Sequence, residues 1–322
     1  ITAEGQVSTE LVNGYTEVDA ETDAFVKNIQ AQYEDKLNEV VAKSDVDLVV
    51  MDPATGNRLI RNQETNLGNL CADAYRTVLG ADIAFVNGGG IRADIPAGDI
   101  TYGQVIAVHP FGNTACVVEA TGQEIADALE MTARSTPGEN GGFLQVSGLK
   151  YTIDLNIASS VKLDDKSMFV AVEGLRRVKN IQVLNQAGEY EPLDLEKTYK
   201  LASHNYMLKS GGDGINMFMD NKVLQDEVMI DNQVLITYVR DSLKGVVGDA
   251  YANPYGEGRI TITDMPYTDV HEGQFFYEPV KFVDGQGYME GIGDGLFAPN
   301  QTLNRALSLI HISEPTRHSL IS

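Results

Sequence analysis

Basic residues are scarce in this sequence: 24 Lys and Arg stand against 46 Asp and Glu, a formal net charge of -22. A surface of that sign repels nucleic-acid backbones, whose affinity comes from clustered cations that neutralise phosphates, so a polynucleotide partner is excluded. A small anion is not excluded, because a few arginines in a cleft create a local positive field within an acidic protein. Cysteine is nearly absent. Cys71 falls on a helical face and Cys116 in a strand-like run, neither with metal-ligand spacing, and both read as buried free thiols. That poverty does not set the compartment, since a chain this long holds a core without disulfides. No apolar run approaches the roughly 18 residues of a membrane span, and the first residues lack a basic-then-apolar leader pattern. No membrane span is expected. The chain does not open on Met, which points to a start inside a longer protein.

With 322 residues, 43% of them hydrophobic, two domains are expected. Phe25, Val26, Ile29, Tyr33, Leu37, Val40 and Val41 recur at helical spacing and predict one amphipathic helix over 21–44. Asp47 to Met51 reads as a short strand. Thr65 or Asn66 caps a second helix with the stripe Leu67, Leu70, Cys71, Ala74 and Val78, ending at Gly80. Strands are predicted at Ile83–Val86, Thr114–Glu119, Phe143–Val146, Lys150–Leu155, Val178–Leu184, Tyr199–Ser203 and Arg259–Ile262. Helices are predicted from Thr121 to about Arg134 and over Asp231–Leu243, and the Gln186–Leu193 stretch supplies turn chemistry. Helices interspersed with hairpin-connected strands argue for a layered α+β domain with a mixed sheet.

Several polar motifs stand out, each with two readings. Arg61-Asn62-Gln63-Glu64-Thr65-Asn66 runs into a helix start. Arg61 there would grip a phosphate beside the positive helix end, or the motif is a helix cap with a surface arginine. Asn87-Gly88-Gly89-Gly90-Ile91-Arg92 follows a buried strand. Glycines around Gly89 permit left-handed backbone and close approach to a ligand, and Arg92 offers a fork of donors to phosphate oxygens; the alternative is a plain tight turn. It is not a dinucleotide fingerprint, since its glycine spacing differs. His109-Pro110-Phe111-Gly112-Asn113 either holds an aromatic ring on an exposed bend, where it would stack on a base, or buries a core Phe beside a satisfied His. Asn205-Tyr206 precedes Ser210-Gly211-Gly212-Asp213-Gly214. Tyr206 would supply a second stacking face and Asp213 would accept hydrogen bonds from ribose hydroxyls, or Asp213 is a turn residue.

In this order the motifs resemble the C-terminal domain of the 5'-nucleotidase family, which includes UDP-sugar hydrolases and 2',3'-cyclic-nucleotide phosphodiesterases. The resemblance runs from Arg61 to Ile262 and includes Gly142-Phe143-Leu144-Gln145-Val146-Ser147-Gly148 and Ser203-His204-Asn205-Tyr206. It implies a nucleotide- or nucleoside-binding domain: Phe111 and Tyr206 sandwich the base, Asp213 takes the ribose, Arg61 and Arg92 face the ribose and phosphate end, and Asn87 and Asn205 line the pocket. Many relatives carry Phe where Tyr206 stands. The resemblance also implies that hydrolysis belongs to an N-terminal metallophosphoesterase domain with two divalent metal ions. The one Asp-x-His pattern, Asp269-Val270-His271, falls in the C-terminal segment beyond this domain, no Gly-Asn-His-Asp/Glu pattern occurs, and the five histidines are scattered. No catalytic residue, metal ligand or cofactor is therefore assigned to this chain. Residues 1–20 read as the end of that metal domain, 21–44 as the interdomain connector and 45–263 as the substrate-binding domain.

After Thr263 the texture changes to Gly, Pro and aromatic residues. Tyr267-Thr268-Asp269-Val270, Phe282-Val283 and Gly291-Ile292-Gly293-Asp294-Gly295-Leu296-Phe297-Ala298-Pro299-Asn300 resemble the start of an S-layer homology module over 264–307. Phe275 and Phe276 stand where Trp is usual. The resemblance implies extracellular placement at a bacterial cell wall or S-layer, with a cell-wall polymer as a partner. Residues 308–322 lack any period and resemble translated adapter sequence, a non-native tail. A non-catalytic nucleotide-binding module or a wall-anchored structural module are the competing functional readings.

Overall fold

The structure, a computed structural model, describes residues 17–293 and 295–301. Helix α1 (Ala20–Leu37) begins on an Asp19 cap and leads into β1 (Val40–Ser44), α2 (Asn66–Leu79), β2 (Ile83–Asn87), β3 (Gly98–Thr101) and α3 (Tyr102–Val108). There follow β4 (Ala115–Thr121), α4 (Gly122–Ala133), β5 (Leu144–Ser147), β6 (Leu149–Asp154), β7 (Val161–Leu163), β8 (Phe169–Val172), β9 (Val178–Leu184) and β10 (Tyr190–Pro192). The described chain closes with β11 (Thr198–His204), α5 (Asn205–Leu208), β12 (Val223–Gln225), α6 (Asp231–Thr237), β13 (Val246–Val247), β14 (Ile260–Thr263) and α7 (Tyr277–Gly285).

The central sheet has the order β12-β4-β11-β2-β5, with β11 and β2 parallel and the other neighbours antiparallel. Apart from the exposed edge strand β12, its strands are largely buried on both faces, and the period of two along each strand explains how. Ala84, Val86, Val117 and Ala202 face Leu67, Leu70, Cys71 and Ala74 of α2. Ile83, Phe85, Cys116, Val118 and Leu201 face the opposite way, into a core shared with Ile125 and Leu129 of α4 and with β6 and β9. Those last strands belong to a second sheet, β10-β9-β6-β14. The fold is α+β with mixed sheets, as the sequence predicts.

Local signals set several boundaries. Thr65 caps α2 by accepting from the Gly68 amide at 3.0 Å, and Gly80 closes it in the left-handed conformation that glycine adopts without strain. Thr121 and Glu124 form a reciprocal capping box at the start of α4. Other expectations need correction. The predicted helix over 21–44 stops at Leu37, and Val40-Val41, a β-branched pair, opens a strand paired with β3 and β13. Phe25, Val26, Ile29 and Tyr33 of α1 stay exposed. Asp47–Met51 forms no ladder, only single bridges from Leu48 to Ile95 and from Met51 to Arg58. The predicted helix over Asp231–Leu243 is α-helical only to Thr237, then widens into a π-type turn over Tyr238–Ser242. The Gln186–Leu193 turn contains strand β10. Residues 1–16 and 302–322, with the proposed non-native tail and the second-helix entry of the terminal module, lie outside the described residues.

Beyond β14 a small separate core forms from Tyr267, Val270, Val280 and Phe297. A buried polar cluster joins it to the second sheet. Lys179 of β9 sits 3.0 Å from Asp154 of β6 and 2.7 Å from Asp284 of α7, and the Tyr267 hydroxyl donates to Asp284. One ammonium faces two buried carboxyls. Burial, with Asp284 alongside, pushes Asp154 up to about 6. Burial also acts to raise Asp284, but hydrogen bonds from Asp154, Lys179 and Tyr267 hold it below its usual value. A folded pKa above the unfolded value of about 3.9 means that Asp154 contributes stability fully below about pH 4 and loses it as pH rises through about 6. The α7 amides should thus exchange hydrogen faster at pH 8 than at pH 5 after correction for intrinsic rates, with a free-energy difference on the order of 1 kcal/mol. Asp154→Asn should abolish that difference; an unchanged pH dependence in the variant would rule the cluster out as its source.

Candidate functional site

The sheet register gathers the polar motifs at one edge. The parallel strands β2 and β11 end there at Asn87 and His204, and their antiparallel neighbours begin there, with Asn87 opposite Leu144 and His204 opposite Ala115. The loops 87–92, 109–114, 140–143 and 205–214 must therefore lie side by side. Between them opens a cleft of about 370 Å3, lined by Arg61, Asn87, Gly89, Gly90, Phe111, Asn113, Gly141, Tyr206 and Asp213. That volume falls in the range of small-molecule sites.

The Arg61 loop is held from behind. Gln145 is fully buried; its amide donates to the carbonyls of Ile60 and Gln63 and accepts from the Thr65 amide. Glu64 is buried too and serves structure: its carboxylate accepts from Asn69 and from the backbone amides of Glu257 and Ile260, locking the start of β14. The start of α2 does not serve as an anion site. The amides of Asn66, Leu67 and Gly68 are taken by Pro254, the Asn66 side chain and Thr65. The capping reading holds for the helix end, while Arg61 itself still reaches the cleft. Burial, then the nearby Arg58 and Arg92, lower the Arg61 pKa, opposed by Glu139 and Asp213. A guanidinium keeps its charge regardless, so the cluster concentrates positive potential at this rim.

The Gly88–Gly90 turn has a different rationale from the one expected. None of the three has positive φ. Glycine is required because backbones touch: a Cβ on Gly88 would lie 2.0 Å from the Ile60 carbonyl oxygen, and the Gly88 and Gly89 amides each donate at 2.7 Å, to Phe143 and Gly141.

Phe111 is 61% exposed and Tyr206 40%, although both rings line the cleft. The core-Phe alternative fails for Phe111. Its neighbour His109 is buried, and desolvation lowers its pKa to about 4. Tyr206 stacks on the buried His204 ring at 6.0 Å between centroids. Its hydroxyl donates to Asp213 Oδ1 at 3.3 Å and accepts from the Asp213 amide at 3.1 Å; Asn87 Nδ2 donates to Asp213 Oδ2 at 2.7 Å. Burial, then Asp213, raise the Tyr206 pKa, so the phenol stays protonated.

Of the eight residues expected in the pocket, six line the cleft: Arg61, Asn87, Gly89, Phe111, Tyr206 and Asp213. Arg92 does not; its guanidinium lies 5.9 Å from the Phe111 ring centre. Asn205 does not either. Its Oδ1 accepts from the amides of Thr114 and Tyr206, tying the two ring-bearing loops together. Asn113, Gly90 and Gly141 line the cleft without having been singled out. Asn113 follows Phe111 within the same Pro-Phe-Gly-Asn turn, the one signal that would have found it.

The family model for the 5'-nucleotidase C-terminal domain matches residues 40–220, more than half of the chain. The chain belongs to the 5'-nucleotidase C-terminal domain family. The S-layer homology domain model matches residues 266–306. The chain is 32% identical to the trifunctional nucleotide phosphoesterase protein YfkN of Bacillus subtilis over 84% of its length and 17% of that protein. It is 30% identical to cell wall protein Lmo0130 of Listeria monocytogenes over 69% of its length and 27% of that protein. Among solved structures it resembles a 5'-nucleotidase precursor from Thermus thermophilus, with a TM-score of 0.62 and 33% identity over 76% of this chain and 44% of that one. The chain thus spans less than half the length of each of these relatives. Members of the 5'-nucleotidase family are hydrolases, and this chain carries their C-terminal domain. Among the described residues no group of three or more His, Cys, Asp or Glu is placed to hold a metal ion. Among the described residues, no helix is long and apolar enough to cross a membrane.

Proposed function

We propose that the cleft binds the nucleoside portion of a nucleotide for a phosphoric ester hydrolase that acts at the cell surface. The base stacks between Phe111 and Tyr206, the ribose hydroxyls donate to Asp213, and the phosphate end lies toward Arg61 with Arg92 behind it. One observation carries the reading: two exposed aromatic rings, a carboxylate and a guanidinium, drawn from loops far apart in sequence, line one cavity. Exposed aromatic faces cost free energy in water, and a base covers them without strict demands on its identity. In this reading Asn113 stands beside the base and Asn87 orients the Asp213 carboxylate.

The hydrolysis itself belongs, in this proposal, to a metallophosphoesterase domain of the full-length protein with two divalent ions. The S-layer homology match at 266–306 and the similarity to a cell wall protein support retention at the envelope through wall polymer. Calorimetric titration of the chain with adenosine and with adenosine 5'-monophosphate tests the binding role. Saturable binding is expected at sub-millimolar ligand, tighter for the monophosphate. Absence of heat at millimolar concentrations of both would overturn the reading.

A further inference from the structure

His204 closes the strand β11, is 2% exposed and does not line the cleft, yet it is linked to it by two hydrogen bonds. The chain of donors can be worked out from one end. The Asp213 carboxylate only accepts, so the Asn87 group 2.7 Å from Oδ2 is the amide NH2. The Asn87 oxygen then faces His204 Nε2 at 3.1 Å, and Nε2 must carry the imidazole proton. Burial, with His109 nearby, keeps this imidazole neutral, its pKa lowered to about 3. On the other side the Tyr206 hydroxyl closes a reciprocal pair with the Asp213 amide and Oδ1. Asp213 itself has φ 55 and ψ 19, a left-handed conformation that aspartate tolerates better than most residues with a side chain.

The packing leaves this arrangement little freedom. A Cβ on Gly90 would lie 2.6 Å from the Asn87 amide oxygen, and one on Gly212 would lie 2.3 Å from the Tyr206 ring. Asn87 and Tyr206 are therefore each pressed against backbone that admits no side chain. A carboxylate that must meet two sugar hydroxyls gains from such preorganisation, because its rotamer entropy is lost on folding rather than on binding.

We propose that His204 is a positioning residue for sugar recognition: through Asn87 it sets the orientation of the Asp213 carboxylate, with the Tyr206 hydroxyl as the opposing clamp. This rests on the nucleoside reading of the cleft. The hydroxyl of Tyr206 thereby has a task that a phenylalanine at this position would not perform.

The test is calorimetric titration of the full chain with adenosine, 2',3'-dideoxyadenosine and adenine. The wild-type protein should prefer adenosine over the dideoxy compound by about 10- to 100-fold, the range for hydrogen bonds to a charged group. His204→Leu should reduce that preference to below about 3-fold, while adenine affinity falls by less than the preference does, because leucine keeps an apolar contact with the Tyr206 ring that stacks on His204 but cannot donate to Asn87. His204→Gln, which supplies an amide N–H toward Asn87, should restore most of the preference. Tyr206→Phe, which retains the ring, should lower the preference by about 3- to 10-fold. A folded His204→Leu protein with the wild-type preference, or one that loses adenine and adenosine affinity together, overturns the proposal. Should His204→Leu fail to fold, an unchanged preference in Tyr206→Phe overturns it instead. Failure of the wild-type chain to bind adenosine would sink the nucleoside reading itself, a result distinct from binding with a preference that His204 does not control.

Discussion

Phe111→Ala is expected to weaken binding of adenosine 5'-monophosphate by about 5- to 100-fold, from the roughly 1–3 kcal/mol that stacking one base on one aromatic contributes. The melting temperature should not move, because the ring is 61% exposed and belongs to none of the buried clusters. Surface substitutions of that kind stay within about 0.5 kcal/mol of wild-type stability. Tyr206→Ala should cost at least as much affinity, since it removes a stacking face together with the hydroxyl that clamps Asp213. Neither change should reorder purine against pyrimidine preference strongly, because every base presents a π-face. Superimposable titrations for wild-type and Phe111→Ala protein would show that the rings share a cavity without sharing a guest.

Arg259→Met should destabilise the fold by about 3–5 kcal/mol, the range for breaking a buried ion pair by removing one partner. Arg259 makes two bonds of 2.8 Å to the Asp73 carboxylate and a third, at 2.9 Å, to the Val146 carbonyl. Asp73 also accepts from Ser147 and Tyr251, so the group joins α2, β5 and the start of β14. Methionine fills much of the same volume but leaves Asp73 charged, buried and short of its counterion. Urea denaturation should therefore show a lower midpoint with an unchanged slope. Arg240→Met is the control: its pair with Asp241 is exposed on both sides, and the urea midpoint should stay at the wild-type value. Equal losses in the two variants would mean that burial does not set the strength of the Asp73 pair.

Much of the fold was legible because its signals are local. The α2 cap at Thr65, its glycine stop at Gly80, the capping box at Thr121 and the full span of β9 follow from side chains within a few residues of each boundary. The misreadings share one cause. Val40 and Val41 continue a helical period from α1, but they open a strand whose partners, β3 and β13, lie far along the chain. Glycines 88 to 90 suggested left-handed backbone, which none of them adopts, whereas the Ile60 and Gly141 carbonyls dictate Gly88 and Gly89. Glu64 and Gln145 sit in conspicuous motifs yet face inward, one holding β14 and the other the Arg61 loop. A polar residue in a motif can serve a ligand or the backbone behind it, and only its partners tell which.

The sequence alone determined the family, the main helices and strands, and the identities of the aromatic, acidic and basic groups that carry the proposed chemistry. Whether those groups meet was decided by tertiary structure. Asn87 and Asp213 are 126 positions apart and hydrogen-bond because β2 and β11 run parallel and end at one sheet edge. Arg92 and Asn205 belong to the same motifs but stand behind the cleft wall, supporting a ring and a loop. Residue spacing governs the first kind of information through short-range sterics and hydrogen bonding. Strand register and burial govern the second, and they depend on the whole chain at once.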